Sequence, residues 1–157
     1  MNDYLVYLDL PSIPQELLEP LNEIVNKPPK PNSLISTQYK SFQTRLVNDN
    51  LSDWTKNLFD TNSFVQYQII TQGLDIHKDQ GRTVAFNYIL CDGGPMARTC
   101  FFDNNKTLVY REKIQLQKWH RIKTDVFHTV TGLQSYRIAV SVDIKDYTWG
   151  SNLPSNA

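Results

Sequence analysis

Two side chains able to bind a metal ion stand two positions apart in the segment Leu74-Asp75-Ile76-His77-Lys78-Asp79. Apolar and polar residues alternate here with the two-residue period of a β-strand, so His77 and Asp79 point from the same face. An imidazole nitrogen and a carboxylate oxygen aimed at one point are two of the three ligands in a two-histidine, one-carboxylate triad. That triad holds non-haem Fe(II) and leaves three coordination positions open. The spacing favours a metal site, and an exposed polar strand face is the alternative interpretation.

A second segment, residues 127–142, places a histidine at the edge of a strand and an arginine in the strand after a glycine-containing turn. Along that second strand Arg137, Ala139 and Ser141 share one face, which is small and polar. An arginine on the inner face of a barrel strand needs an anion, because an unpaired buried charge is costly. A dicarboxylic acid that chelates a metal near His128 would supply this anion, and a guanidinium is well shaped to bind a carboxylate.

Together these residues resemble the Fe(II)/2-oxoglutarate-dependent dioxygenases, in particular their prolyl-hydroxylase-like branch. The likeness rests on His77-x-Asp79, on His128 about fifty residues later and on Arg137 nine positions after that, and it spans about half of the chain. It implies a double-stranded β-helix (jelly-roll) core in which His77, Asp79 and His128 are the ligands of Fe(II). It also implies that Arg137 pairs with the distal carboxylate of the cosubstrate 2-oxoglutarate, with O2 as the other cosubstrate.

The same resemblance suggests two further residues for the 2-oxoglutarate pocket. Tyr67 lies ten residues before His77, where this branch often places a tyrosine that lines the pocket. Position 139 is alanine, so the Arg-x-Ser pairing of some branches is absent. Ser141 is the candidate substitute on the same strand face.

Three residues after the His-x-Asp turn are candidates for the pocket or for substrate binding: Arg82, Asn87 and Tyr88. The alternation of the strand leaves open whether Asn87 or Tyr88 faces the pocket. His120 has no carboxylate at a matching spacing, and we interpret it as a structural or exposed histidine.

The activity implied is hydroxylation of an unactivated C–H bond in a peptide, a protein side chain or a small metabolite, with 2-oxoglutarate converted to succinate and CO2. A jelly-roll module that binds a metal or an anion without oxygenase turnover is the alternative. A non-oxygenase metal enzyme of the cupin type ranks last, since those enzymes usually draw their histidines as His-x-His. The carboxylate at position 79 counts against the halogenase variant of the family.

The elements that must position these residues are mainly β-strands. From residue 63 onward, short β-rich runs are separated by Gly, Asp, Asn and Pro, which indicates an antiparallel sandwich or barrel. The predicted strands are Phe64 to Ile70, Leu74 to Asp79, Thr83 to Cys91, Thr99 to Phe102, Thr107 to Tyr110, Lys113 to Leu116, His120 to Ile122, Phe127 to Val130 and Tyr136 to Ile144.

The N-terminal third predicts a short strand at Tyr4 to Leu8 and one or two helices that pack on one outer face of the β core. Ser12 followed by Pro14 is a helix-start signal, and apolar residues at helical spacing, from Leu17 to Val25, continue the helix to about Asn26. A second short helix is expected within 49–59, with Ser52 as its N-cap. Residues 27–32 contain three prolines and read as an extended loop. Whether residues 27–48 form a lid over the site or pack on the barrel is left open.

Composition excludes several classes of protein. The chain has 157 residues, and sixteen Lys and Arg balance sixteen Asp and Glu, so the charge balance argues against nucleic-acid binding through a basic surface. It lacks the ~18 consecutive apolar residues of a membrane span, and its first residues do not resemble a signal peptide, which predicts a cytoplasmic protein. Cys91 and Cys100 are expected to be free thiols. We expect one domain, with support in 1–62, the catalytic core in 63–146 and a tail in 147–157.

Overall fold

Short strands bounded by turn residues make up most of the regular structure in the computed structural model, which describes residues 2–27, 42–60 and 62–152. The strands are β1 (Leu5–Tyr7), β2 (Phe42–Leu46), β3 (Ser63–Ile70), β4 (Val84–Asp92), β5 (Arg98–Phe102), β6 (Leu108–Glu112), β7 (His120–Lys123), β8 (Phe127–Thr131) and β9 (Arg137–Ile144). The helices are α1 (Leu21–Asn26) and α2 (Asp49–Leu58), and a single 3-10 turn covers Gln15–Leu17.

The strands form two antiparallel sheets. The larger sheet has the order β1-β7-β4-β9-β3-β2, and the smaller sheet has the order β6-β5-β8. Residues 74–79 run beside β8, to which they are joined by an antiparallel bridge between His77 and His128. From β3 onward the chain therefore passes repeatedly between the two sheets, and strands distant in sequence become neighbours. This topology confirms the mainly β, double-stranded β-helix (jelly-roll) fold that the sequence predicts.

The outer face of the larger sheet carries the main hydrophobic core. Because side chains alternate along a strand, Ile138, Val140 and Val142 of β9 all point to this face, where α2 and the N-terminal segment cover them. The buried residues of this core include Leu8, Ile13, Ile24, Leu51, Leu58, Phe59, Val65, Tyr67, Ile69, Phe86, Tyr88, Trp119, Ile138, Val140 and Val142. The helices thus pack on one outer face, as the sequence predicts.

The inner face of the larger sheet turns toward the smaller sheet. A second, smaller hydrophobic cluster lies between the two sheets and includes Ala85, Ile89, Phe101 and Ile122. The rest of this inner face lines an open cavity, and the residues predicted to do chemistry must be sought there.

The N-terminal helices differ from the sequence-based expectation. The single helix predicted to end near Asn26 is divided into a 3-10 turn and α1, because Pro20 lacks the N–H that a continuous helix needs and disfavours helical geometry in the preceding residue. In α2 the N-cap is Asn48, whose side chain accepts a hydrogen bond from the amide of Leu51. The prediction of Ser52 as the N-cap is wrong by one turn.

Two predicted strands also differ. Residues 74–79 contain a single bridge instead of a regular strand, and residues 113–116 form no strand, since the chain turns at 116–117. The structure adds β2, which the sequence does not predict. The loop predicted for 27–32 lies almost wholly outside the described residues, and so does most of 27–48. Cys91 and Cys100 are free thiols. Among the described residues, no helix has the length and apolarity that a membrane span requires.

Candidate metal centre and cavity

Three predicted ligands meet at one edge of the smaller sheet. The Oδ1 atom of Asp79 lies 3.2 Å from Nε2 of His128 and 3.6 Å from Nε2 of His77. All three ligand atoms lie within 4.8 Å of one another. The structure therefore brings together His77 and Asp79, which their spacing pairs, and His128, which the resemblance adds to them.

The backbone fixes both histidines. The amide of His77 donates to the carbonyl oxygen of His128 at 3.1 Å, and the amide of His128 donates back to His77 at 2.8 Å. Residues directly opposite each other in an antiparallel bridge send their side chains to the same side, so the two imidazoles stand together, 4.5 Å between ring centroids. The amide of Asp79 donates to the carbonyl oxygen of Thr124 at 2.9 Å, which brings its carboxylate back over the pair.

The outer ring nitrogens select the tautomer of each imidazole. Nδ1 of His77 lies 2.7 Å from the carbonyl oxygen of Asp75, and Nδ1 of His128 lies 2.8 Å from that of Val126. A carbonyl oxygen only accepts, so both Nδ1 atoms carry a hydrogen and both neutral rings present an Nε2 lone pair. Two lone pairs and a carboxylate oxygen then converge on one point, an arrangement that a cation stabilises. The three side chains fit a divalent metal ion.

The electrostatics of the cluster favour an ionised carboxylate and, where no cation is bound, a proton on His77. Burial raises the pKa of Asp79, but hydrogen bonds with His128 and His77 and the charge of Arg82 outweigh it and hold that pKa well below its usual range. Burial lowers the pKa of His77, and its bonds to the Asp79 carboxylate and the Asp75 carbonyl oxygen more than compensate, so that pKa is raised. The carboxylate is therefore ionised at neutral pH, as a metal ligand must be.

Arg82 occupies the other oxygen of the same carboxylate. Its Nε donates to Oδ2 of Asp79 at 2.6 Å. Gly81, with a φ of +83°, makes the turn between the two residues in the left-handed region that glycine adopts readily. Arg82 thus contacts a predicted metal ligand.

A cavity of about 560 Å³ opens between the two sheets from this cluster. Ligand pockets commonly have volumes of about 300–1,000 Å³. Arg137 lies at the start of β9 and lines the cavity at one end. Asp143, six residues along the same strand, lies close enough to Asp79 and Arg82 for their charges to shift its pKa. The triad and Arg137 therefore stand toward opposite ends of one cavity.

Arg137 is buried, with 5% of its surface exposed. Its Nη1 donates to Oγ1 of Thr99 at 2.7 Å and its Nε donates to the carbonyl oxygen of Asp92 at 3.2 Å. Its Nη2 is buried without a hydrogen-bond partner among the described residues. Burial lowers the pKa of Arg137 to about 10, although Asp92 and the two cysteines partly offset this. A buried, charged fork with one arm unsatisfied is the feature expected of a carboxylate subsite.

A row of polar side chains crosses the inner face between these two ends. The strand register places Gln66, Ser141, Asn87 and His120 side by side on β3, β9, β4 and β7. Oγ of Ser141 and Oδ1 of Asn87 are buried with no hydrogen-bond partner in the part of the chain described. Of the two candidates for facing the pocket, Asn87 does so.

Two predicted pocket residues lie elsewhere. Tyr67 and Tyr88 belong to the outer-face core, and neither lines the cavity. The hydroxyl of Tyr67 accepts a hydrogen bond from the amide of Glu19 at 3.3 Å. The expectation that Tyr67 lines the cosubstrate pocket is corrected by strand parity: Gln66 and Gln68, its neighbours in β3, point inward, so Tyr67 points outward.

His120, which the sequence favours as a structural or an exposed histidine, is not exposed. It is fully buried, lines the cavity and has a pKa lowered to about 4, because burial and the charge of Arg137 outweigh the bond to the carbonyl oxygen of Lys118. A signal was present in the alternation of β7, in which His120 shares a face with Ile122, also a cavity residue. An exposed strand face would not carry isoleucine at that position.

The solved structures similar to this chain are too distant to bear on its fold or its function. No protein-family model matches the chain, and no curated protein matches it. A cupin superfamily protein from Desulfitobacterium hafniense is 12% identical with a TM-score of 0.44, and the match covers 88% of this chain and all of that one. Procruciferin, the 11S globulin of Brassica napus, is 11% identical (TM-score 0.42) over 70% of this chain but only 26% of its own. Peruvianin-I, a cysteine peptidase from Thevetia peruviana latex, is 10% identical with a TM-score of 0.43, over 87% of this chain and 81% of that one.

Proposed function

We propose that this protein is an Fe(II)- and 2-oxoglutarate-dependent oxygenase that hydroxylates an unactivated C–H bond of a peptide, a protein side chain or a small metabolite. The observation that carries the proposal is the pairing of two features in one cavity. At one end His77, Asp79 and His128 converge three electron-pair donors on a point. At the other, Arg137 is buried with an unsatisfied arm and no carboxylate within ion-pair distance among the described residues.

Each end of a 2-oxo dicarboxylic acid would be bound by a different group of residues. His77, Asp79 and His128 would hold Fe(II) on one side and leave its cavity side open. Arg137, held in place by Thr99 and the Asp92 carbonyl oxygen, would bind the distal carboxylate and so orient the 2-oxo acid end toward the triad. Ala139, between Arg137 and the polar row, leaves room for the ligand chain because its side chain is small.

When bound, Fe(II) supplies the O2 chemistry: 2-oxoglutarate is oxidised to succinate and CO2, and one oxygen atom of O2 enters the substrate as a hydroxyl group. The protein supplies geometry, charge complementarity and shielding from water. Oγ of Ser141, which is unpaired on the same strand face as Arg137, would donate a hydrogen bond to the cosubstrate, whereas Oδ1 of Asn87 only accepts and would receive one from the substrate. The substrate would approach from the open side of the triad.

The test is anaerobic addition of Fe(II) and 2-oxoglutarate to the metal-free protein. We expect the weak visible charge-transfer band of the chelate, and slow formation of succinate after O2 is admitted. His77→Ala should abolish both, whereas Asp75→Asn, at an exposed neighbouring carboxylate, should retain both. If well-folded protein binds Fe(II) and shows neither the band nor succinate, the proposal fails, and a metal- or anion-binding jelly-roll module without turnover is the function that remains.

A further inference from the structure

A row of aromatic rings crosses the inner face of the smaller sheet and ends at the candidate metal centre. The strand register pairs Tyr110 of β6 with Phe101 of β5, and Phe101 with His128 of β8. The antiparallel bridge pairs His128 in turn with His77. Residues directly opposite each other on neighbouring strands send their side chains to the same side. The rings therefore follow one another, with centroid distances of 6.2 Å from Tyr110 to Phe101, 6.4 Å from Phe101 to His128 and 4.5 Å from His128 to His77.

The end of the row that is remote from the metal centre carries a proton acceptor. The hydroxyl of Tyr110 donates a hydrogen bond to one carboxylate oxygen of Glu112, and the hydroxyl of Tyr7 donates to the other at 2.7 Å. The bond to Glu112, and to a smaller extent burial, raises the pKa of Tyr110, so the phenol keeps its proton at neutral pH. Tyr4 stacks on both Phe101 and Tyr110, with centroid distances of 5.4 and 6.2 Å. The phenol of Tyr110 is therefore held between a packed ring and a carboxylate.

This arrangement suits the oxidation of a tyrosine by one electron. A phenol loses an electron far more easily when a base takes its proton, because the protonated radical cation is very unfavourable, and a carboxylate within hydrogen-bond reach is such a base. Phenylalanine is too hard to oxidise to carry the charge itself, but a ring packed between donor and acceptor assists electron tunnelling. Phe101 is fully buried and contacts the rings of both Tyr110 and His128. The row therefore connects an oxidisable group to the point where a metal ion would be oxidised.

We propose that Tyr110 is a redox-active tyrosine that returns an electron to the metal centre when the centre has been oxidised and no substrate is present. The inference rests on the proposed function, in which O2 and 2-oxoglutarate supply the oxidising power at Fe(II). In the step itself the O–H bond of Tyr110 breaks. Its electron passes by way of Phe101 and His128 to the iron, which is reduced by one electron, and its proton passes to Glu112. A neutral tyrosyl radical and a protonated Glu112 remain, and the metal ligands are spared oxidation in turnover without substrate.

The experiment exposes the Fe(II)-loaded protein, without substrate, to O2 with 2-oxoglutarate or, separately, to H2O2, which oxidises bound iron without 2-oxoglutarate. Electron paramagnetic resonance of rapidly frozen samples detects a tyrosyl radical, and peptide mapping by mass spectrometry locates the oxidised tyrosines. Tyr110→Phe keeps the ring and removes the phenol, and Glu112→Gln keeps a hydrogen-bond acceptor and removes the base. The control is Tyr136→Phe, which alters an exposed tyrosine outside the row. Thermal unfolding would confirm that each variant is folded.

In the wild type we expect a tyrosyl radical with either oxidant, and more oxidation product at the half-buried Tyr110 than at the exposed Tyr136. Tyr110→Phe should lose the radical signal, and its metal site should be inactivated after fewer turnovers because the ligands are oxidised instead. Glu112→Gln should lower the yield of oxidised Tyr110 and leave the affinity for Fe(II) at the wild-type value. Tyr136→Phe should match the wild type throughout.

Three results would overturn the inference. An unchanged radical signal in Tyr110→Phe would place the radical elsewhere, and equal oxidation of Tyr110 and Tyr136 would show a diffusing oxidant. Formation of succinate with no oxidation of Tyr110 would show that the rings only pack. Failure of the proposed function looks different: O2 and 2-oxoglutarate would then give no succinate, whereas H2O2 would still oxidise Tyr110 in preference to Tyr136. If Tyr110→Phe does not fold, the yield of oxidised Tyr110 in Glu112→Gln decides the question, and an unchanged yield counts against the inference.

Discussion

The two faces of the larger sheet are built from alternate residues of the same strands, yet they differ in almost every physical property. Along β9, Ile138, Val140 and Val142 enter the helix-covered core, whereas Arg137 lines the cavity and Ser141 is buried on the same inner face. The outer face follows the usual rules of a protein interior, with close-packed apolar and aromatic groups. The inner face breaks them, because it buries charge and polar atoms beside open space.

The two faces also differ in where their unpaired polar atoms lie. On the outer face the hydroxyl of Tyr67 accepts from Glu19 and Nε1 of Trp119 donates to the carbonyl oxygen of Pro11 at 3.1 Å, and the unpaired Nε atoms of Arg45 and Arg121 do not line the cavity. On the inner face Asn87, Ser141 and Arg137 each keep a buried atom unpaired. An unsatisfied buried group costs about 1–3 kcal/mol. The outer face therefore stabilises the fold, and the inner face gives up stability where a ligand can complete it.

The largest effect on stability is expected at Phe86, on the outer face. Its ring is fully buried and lies 5.1 Å from the ring of Phe59 and 5.0 Å from that of Tyr147, centroid to centroid. Phe86→Ala should lower the free energy of unfolding by about 3–5 kcal/mol, because it removes apolar contact and leaves a cavity. Denaturant unfolding measures this, and 2-oxoglutarate affinity of the folded protein should be retained. A loss of 2-oxoglutarate affinity as large, in free energy, as the loss of stability would contradict the separate roles of the two faces of the larger sheet.

Arg137 should show the opposite pattern. Arg137→Leu removes a buried charge that has no ion-pair partner among the described residues, so the ligand-free protein should unfold with the same or a higher free energy. Affinity for 2-oxoglutarate should fall by about 2–5 kcal/mol, the cost of removing one member of a buried charge pair. Calorimetric titration and denaturant unfolding of the same samples test both halves. Marked destabilisation of the ligand-free variant would contradict the interpretation.

How far these faces follow from sequence depends on the residue. The alternation in β9 correctly separates Arg137 from its apolar neighbours, and the His-x-Asp spacing identifies two residues that do meet. Tyr67 was misplaced because a resemblance located it along the chain but did not fix which way its strand faces. His120 was missed because its importance depends on strands β4 and β9, which are distant from it in sequence.

The helical region shows a different limit. Leucine spacing indicated helix up to Asn26, but the local geometry of Pro20 divides it. The segment at 74–79 reads as a full strand, and its single bridge reflects competition with the turn that carries Asp79 back to Thr124. Propensity predicts the type of an element well, and tertiary contacts decide its length.

A pH experiment tests the cost of polarity on the inner face through His120. Its pKa is near 4 in the folded protein, against 6.5 for an unperturbed histidine, because burial and then Arg137 disfavour its charge. As pH falls from 6.5 to 4 the unfolded chain takes up a proton that the folded protein refuses, so stability declines across this window by about 3 kcal/mol. His120→Gln should decline less. Denaturant unfolding of both metal-free proteins at several pH values measures the free energy of unfolding of each. Equal declines in the wild type and in His120→Gln would contradict the assignment of this effect to His120.

Other shifted groups of the cluster act outside that window. The pKa of Asp79 is depressed, so its contribution is present above the unfolded value of 3.8 and is lost only as pH falls further. The pKa of His77 is raised, so its contribution is present below 6.5 and is lost as pH rises. Comparing wild type with His120→Gln cancels both.

The smallest effect is expected at Tyr67. Tyr67→Phe removes the hydroxyl that accepts from the amide of Glu19 and should lower the free energy of unfolding by about 1 kcal/mol. Because the side chain belongs to the outer face, 2-oxoglutarate affinity should not change. Weaker 2-oxoglutarate binding in this variant would show that Tyr67 contributes to the pocket and that the outer face has a functional role.

The bridge between His77 and His128 gives the candidate centre a mechanical role as well as a chemical one. His128 belongs to a strand bonded along its length to β5, whereas the segment that carries His77 is joined to β8 by one antiparallel bridge and to Thr124 by the amide of Asp79. An ion bound by both imidazoles would tie the irregular segment 74–79 to the regular strand β8 through side chains as well as through the backbone. Metal binding and closure of this edge of the barrel would then occur together.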